Sequence, residues 1–413
     1  MRQLSQITGG LIGQPMFKLL AKVGQMEKAG RRIFHFEIGD SDFRAHQHII
    51  DATKQALDDD QTHYVASAGI EQLRMAVCDY TEQTLDFRPD IEQVLIMPAN
   101  SIIDSVMRCV ANPGEDVIYP DPGFSTYIAV TNYTGIKKVG VPLKEEDAFH
   151  LKAEEVRRRI TDRTRLVIVN SPQNPTGAVM TQAEVEDIAL LCEQQDLYLL
   201  SDEIYSRVIY DRNHYSPSYM DKCQERTIIL NGFAKSFSMP GWRLGYAIGP
   251  KEIIKKMGIL FQTVYSCTPA FVQYGGISAL KGNQDVIEHR IQLYKILRDL
   301  IVEQLNEIPG VSCLTPEGAC YVFPNIEGTG MSSAEFAEFV LERAGVALLP
   351  GTCFGEYGEG YVRLCYTRRP EVIEDACEKI KRALAKREVR APVRTVLDSV
   401  MLGDRKSHEV YIN

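Results

Sequence analysis

From about residue 45 to 290, short apolar runs alternate with longer stretches of helical periodicity. Val94–Met97, Asp116–Tyr119, Leu166–Val169, Tyr198–Leu200, Thr227–Leu230 and Gly245–Ile248 read as strands. Runs this short and this apolar suit strands covered on both faces. Their alternation with helical segments predicts a mostly parallel sheet with crossover helices. The expected fold class is therefore α/β, with a large domain over 45–290. The N-terminal segment reads as an arm, a helix from Phe17 to Lys28 and a short strand from Ile33 to Ile38. A long helix from Ile291 to Ile308 opens a stretch that mixes strands and helices up to 387. Residues 1–44 and 291–387 are assigned to a smaller α/β domain. Residues 388–413 are polar, carry Arg390-Ala391-Pro392, and read as a C-terminal surface tail or an arm touching a partner subunit.

Four segments carry chemistry. Lys235 lies in Asn231-Gly232-Phe233-Ala234-Lys235-Ser236-Phe237, an apolar turn of small residues. Burial there disfavours the ammonium, so a lowered pKa is expected, and a neutral amine attacks carbonyls. Arg243, eight residues on, offers a fork suited to phosphate. An aldehyde-trapping amine beside a phosphate anchor is what pyridoxal phosphate (PLP) requires. Asp202 ends the apolar run Leu197-Tyr198-Leu199-Leu200, where open α/β sheets bind ligands. An acid at that place holds a pyridine nitrogen protonated and makes the ring an electron sink. Tyr205 and Asn174 are placed to bond the ring hydroxyl, O3′; Asn174 follows a second buried strand, in a turn rich in Asn, Pro and Gly. Arg363 interrupts the apolar strand Tyr361-Val362-Arg363-Leu364-Cys365-Tyr366. A charge there is costly unless a ligand carboxylate meets it.

In this order the segments resemble the class I/II aminotransferase family, the fold-type I PLP enzymes akin to aspartate and aromatic aminotransferases. The resemblance runs from Pro15-Met16-Phe17 to about residue 387. It adds Gly39 as the loop that closes on the substrate carboxylate, and Phe124 as an aromatic stacked on the pyridine ring. It also adds Tyr64, reaching the phosphate of the neighbouring subunit in a homodimer with shared active sites. It implies transfer of an amino group between an L-amino acid and a 2-oxo acid. Lys235 holds the cofactor and shuttles the proton, Asp202 and Tyr205 support the chemistry, and Arg363 with Asn174 and Gly39 receives the substrate. The alternative is a same-fold PLP enzyme doing elimination, cyclisation or oxidation. A non-catalytic regulatory domain of this fold would lack Lys235 or carry a DNA-binding segment, and neither is seen.

Several positions depart from the family pattern. The phosphate turn reads Pro98-Ala99-Asn100-Ser101, where Ala99 and Asn100 at a helix N-terminus offer amides to an anion. Gly232 and Ala234 replace hydroxyl residues before the lysine, Ser41 replaces a proline, and Cys320 replaces a large aromatic. No arginine occurs in Gln262–Cys267, where dicarboxylate-specific relatives place one; Arg44 or His46 would have to substitute, so an acidic donor is disfavoured. Composition adds exclusions. A net charge of -9 gives no basic footprint for nucleic acid. No apolar run reaches a membrane span, and the N-terminus has no signal core. Ten cysteines without a Cys-x-x-Cys pair argue against a metal site or disulfide framework, and fit a cytoplasmic enzyme.

Overall fold

The structure is a computed structural model describing residue 2 and residues 4–387; the expected tail over 388–413 lies outside the described residues. The strands, in chain order, are β1 Phe34–His35, β2 Val94–Ile96, β3 Asp116–Asp121, β4 Lys137–Pro142, β5 Thr164–Asn170 and β6 Tyr198–Asp202. Then come β7 Thr227–Gly232, β8 Gly245–Ile248, β9 Tyr321–Val322, β10 Val346–Ala347, β11 Leu349–Pro350 and β12 Val362–Cys365.

Seven strands form one sheet in the order β2-β8-β7-β6-β5-β3-β4. All neighbours are parallel except β8, which runs antiparallel to both β2 and β7. The expected α/β architecture is thus observed. All six expected apolar runs are strands, and each is buried along nearly its whole length because helices cover both faces. The seventh, β4, has no counterpart among the expected strands. Lys137-Lys138-Val139-Gly140-Val141-Pro142 is no apolar run, because β4 is an edge with its first two lysines exposed. Edge lysines of this kind discourage further pairing.

The topology gathers one edge of the sheet. Asn170 of β5 pairs with Asp202 of β6, and Asp202 with Leu230 of β7, so these strands finish together. The antiparallel β8 begins where β7 ends, with Gly232 opposite Gly245. β2 ends level with Tyr246, at the same edge, and leads into the helix Ala99–Val110. The loops bearing Asn174, Lys235, Arg243 and Ala99 therefore leave one side of the sheet, where ligands of open α/β sheets bind.

A three-stranded antiparallel sheet, β11-β12-β9, carries Arg363 opposite Leu349 and Cys365 opposite Tyr321. β1 pairs with β10 in parallel. The strand expected over Ile33–Ile38 contracts to Phe34–His35. Side chains take two of the carbonyls here, with Arg368 Nε donating to His35 O and Arg363 Nη2 to Glu37 O, while Phe36 O between them accepts from the Cys365 amide. The helix expected from Phe17 starts at Pro15, a residue suited to the first helical position. The long helix runs Asp285–Asn306, six residues earlier than its apolar pattern suggested; Asp285 and Glu288 in the first turn complement the helix dipole.

Candidate active site

Asp202, the last residue of β6, is 3% exposed. Its Oδ2 accepts from Tyr127 Oη at 2.6 Å and its Oδ1 from the Ile204 amide at 3.3 Å. Burial raises its pKa to about 6, against the pull of these two donors. Asn170 braces it: the amide Nδ2 donates to Asp202 O at 2.9 Å, while Oδ1 accepts from Asn174 N at 2.9 Å. One amide thus ties the end of β5 to the end of β6 and to the turn after it.

Lys235 follows β7. Its Nζ donates to Gly39 O at 2.5 Å and lies 5.7 Å from the centre of the Tyr205 ring. The expected lowering of its pKa is not what the structure gives. Burial does push it down, but Tyr321, Cys320 and Cys365 push it up, and the net direction is upward. β9 and β12 bring phenol and thiol groups to the amine that the turn buries, and these offset the effect of burial.

Gly39 is a close-approach glycine. A Cβ at this position would stand 1.9 Å from Tyr321 Oη and 3.1 Å from Lys235 Nζ. Tyr205 Oη lies 2.8 Å from Tyr321 Oη, and the two rings meet edge to face.

Arg363 is 1% exposed. It donates to Asn174 Oδ1 at 3.1 Å and to Glu37 O at 2.6 Å, both neutral acceptors. Its buried Nε has no partner among the described residues. The guanidinium lies between two rings, 4.2 Å from the centre of Tyr321 and 4.7 Å from that of Phe354.

The residues expected to meet a phosphate are looser. Ala99 opens its helix as expected, and the tight packing of Gly245, where a Cβ would stand 3.0 Å from Ala99 N, sets that helix start against β8. Arg243 stands two residues before β8, exposed, with φ of 53° and Nη1 donating to Pro240 O. Phe124 is the N-cap of the helix Ser125–Thr134 and meets Tyr127 edge to face at 5.8 Å. Tyr64 is 88% exposed.

The family model for "Aminotransferase class I and II" matches residues 31–380. The chain belongs to the class I and II aminotransferases. It is 38% identical to an aspartate aminotransferase of Pyrococcus horikoshii over 371 residues, covering 89% of this chain and 93% of the relative. It is 37% identical to aromatic-amino-acid aminotransferase 2 of Thermococcus litoralis, over 86% of this chain and 93% of the relative. The crystal structure of an aromatic aminotransferase from Pyrococcus horikoshii superposes with a TM-score of 0.83 at 37% identity, covering 88% of this chain and 98% of the other. The protein is accordingly a transaminase, from a family of PLP enzymes.

Three further residues touch the expected site residues: Tyr127, Asn170 and Tyr321. Tyr127 stands three places after Phe124, one helical turn on, which is the signal that would have found it. Asn170 was visible as a polar end to an apolar strand. Tyr321 was hidden behind its neighbour Cys320, and only the strand register brings it to Tyr205 and Arg363.

Proposed function

We propose that this aminotransferase carries PLP on Lys235 and moves an amino group between an L-amino acid and a 2-oxo acid. The observation that carries the reading is Arg363, a buried cation with neutral acceptors and an idle Nε. A buried guanidinium costs several kcal/mol unless compensated, on the order of what desolvation takes from one ion. A substrate α-carboxylate compensates it, and Asn174 beside it steadies the fork.

The other residues fit the cofactor. Asp202 is a buried carboxyl that meets no cation among the described residues, and it suits a protonated pyridine nitrogen. The Ala99 and Asn100 amides at the helix start, with Arg243, suit a phosphate. Phe124 would cover the ring, and Tyr205 with Asn174 would meet its hydroxyl. When bound, PLP supplies an electron sink for the bond broken at the substrate Cα. Lys235 would take the proton from Cα as general base and return it as general acid. Its Nζ donates to Gly39 O, on the loop that would close on the carboxylate.

The assembly proposed is a homodimer in which Tyr64 acts in the neighbouring site. Its exposure supports this, as do the exposed apolar Leu4, Ile7, Leu11 and Ile12 of the N-terminal arm and Val264 and Tyr265. The proposed division is a large domain over 45–290 and a small one from 1–44 and 291–387. A cytoplasmic setting is proposed from ten cysteines that are all free thiols. No helix among the described residues is long and apolar enough to cross a membrane, and no metal-binding cluster occurs among them.

One experiment tests the assignment. Protein loaded with PLP should show a visible band that an amino acid alone bleaches and a 2-oxo acid restores. Borohydride should fix the label on the Lys235 peptide in mass spectrometry. A label on another lysine would overturn the site. Release of ammonia or thiol without any oxo acid would favour elimination.

A further inference from the structure

We infer that Tyr321 is a positioning residue: its hydroxyl fixes the direction of the Tyr205 hydroxyl, and through it sets how tightly the lysine-bound cofactor holds its proton. The inference rests on the cofactor placement proposed above and adds a residue that placement does not use.

Tyr321 is 2% exposed and lies in β9, opposite Cys365 of β12. Three contacts lock it. Arg363 lies 4.2 Å from its ring centre, the Tyr205 ring meets it at 5.8 Å and 76°, and its hydroxyl abuts Gly39 so closely that no Cβ fits there. Its Oη stands 2.8 Å from Tyr205 Oη, and either oxygen can donate. Among the described residues neither hydroxyl has another hydrogen-bond partner.

Each phenol has one proton to give. If Tyr205 gives its proton to the cofactor's ring oxygen, its own lone pair is left for the proton of Tyr321. The two hydroxyls then donate in series, Tyr321 to Tyr205 and Tyr205 to the ring. A donor that is itself an acceptor is polarised and donates more strongly. A stronger donor draws negative charge from the ring oxygen, which otherwise helps to hold the proton on the Lys235 nitrogen. Tyr321 therefore keeps that nitrogen easier to deprotonate, and so able to take the proton of an incoming ammonium group, which leaves a neutral amine free to attack. Without Tyr321, the Tyr205 hydroxyl is free to turn.

The test is a pH titration of the visible band in PLP-loaded enzyme. Tyr321→Phe keeps the ring beneath Arg363 and removes only the hydroxyl. Its midpoint should rise by about half a unit to one unit, roughly the worth of one neutral hydrogen bond. The KM for the amino acid should change less than about twofold, since the Arg363 fork is untouched. Tyr205→Phe should raise the midpoint further, and adding Tyr321→Phe to it should change nothing more. A 3-fluorotyrosine at 321, a stronger donor, should move the midpoint down, and it gives the answer if the Phe variant folds poorly. An unmoved midpoint, or an equal shift with and without the Tyr205 hydroxyl, overturns the inference. Failure of the wild type to form a band on Lys235 would instead overturn the cofactor placement beneath it.

Discussion

Two groups of buried charge sit close together in this molecule and are built on opposite plans. Around His150 every charge is answered. His150 Nδ1 lies 2.8 Å from Glu184 Oε2 and its Nε2 3.3 Å from Glu317 Oε2. Lys152 reaches Glu184 at 2.7 Å, Arg212 reaches Glu317, and the Val179 amide donates to Glu317 as well. Glu184 also closes the capping box of its helix, on Thr181. Around Arg363 the charges are left open: Arg363 meets neutral acceptors, and Asp202 meets a phenol and an amide. Three residues of chain separate Glu317 of the first group from Tyr321 of the second. The chain pairs its charges in one place and, among the described residues, gives Arg363 and Asp202 no opposite charge in the next, which is what the proposed ligands would supply.

The comparison predicts opposite outcomes for substitutions in the two groups. The largest effect is expected at Lys235. Lys235→Ala should lose at least about 10²–10⁴-fold in turnover, the share of positioned proton transfer alone. Its melting temperature without cofactor should stay within a few degrees of wild type, because the residue's partner is a single carbonyl. Steady-state kinetics and calorimetry check both halves. A variant that turns over normally would remove the chemical reason for the open group.

Arg363→Met should come next. Losing the charged carboxylate contact is expected to cost about 2–5 kcal/mol in kcat/KM. Thermal stability should hold or rise, since an apolar side chain of similar length replaces a charge with incomplete compensation. Loss of stability larger than the loss of kcat/KM would mean that Arg363 is structural, and the contrast would collapse. His150→Ala should do the reverse. It removes two charge-assisted hydrogen bonds from Glu184 and Glu317, which keep Lys152 and Arg212, and should lower stability by about 1–3 kcal/mol, the worth of hydrogen bonds to charged groups. Its kcat/KM should remain within about twofold of wild type, as none of its partners belongs to the proposed site. Denaturant melts beside kinetics separate the two.

The difference also explains what the sequence made legible. Lys235, Asp202, Asn174 and Arg363 stood out because each is a polar residue where an apolar run or a small-residue turn leads one to expect none. The sheet was legible for the same reason, except β4, whose edge position lets it be polar. Tyr127 and Tyr321 were not legible as site residues, because aromatic side chains are at home in any core. Their roles come from partners 75 and 116 residues away, Asp202 and Tyr205. His150 and Glu317 were equally silent, being ordinary surface residue types until the fold places them together. The direction of the Lys235 pKa is not legible from burial alone, because the phenol and thiols around it are brought in by β9 and β12.

The smallest effect expected is a pH dependence that belongs to the paired group alone. His150 is raised from 6.5 to about 9, chiefly by the hydrogen bond to Glu184 and then by that to Glu317. A group whose folded value lies above its unfolded one stabilises fully below the unfolded value. That contribution drains away as the pH climbs through the folded value. Hence His150 supports the fold completely below about pH 6.5 and loses its contribution as the pH passes about 9. Glu184 is held far below its ordinary range; burial opposes this, and the bonds from His150 and Lys152 overcome it. Its contribution has the other sign: present above the usual carboxylate value, lost in acid. The stability gap between wild type and His150→Gln should therefore be widest near pH 5–6.5 and narrow by about 1–2 kcal/mol toward pH 10, less than the full linkage of the shift. His35, likewise raised to about 9, chiefly by the hydrogen bond to Glu37, is present in both proteins and cancels in the difference. Denaturant unfolding at fixed ionic strength from pH 5 to 10 would measure it. A gap that stays level across that range would show that His150 is held neutral, and that the answered group is a hydrogen-bond network rather than a charged one.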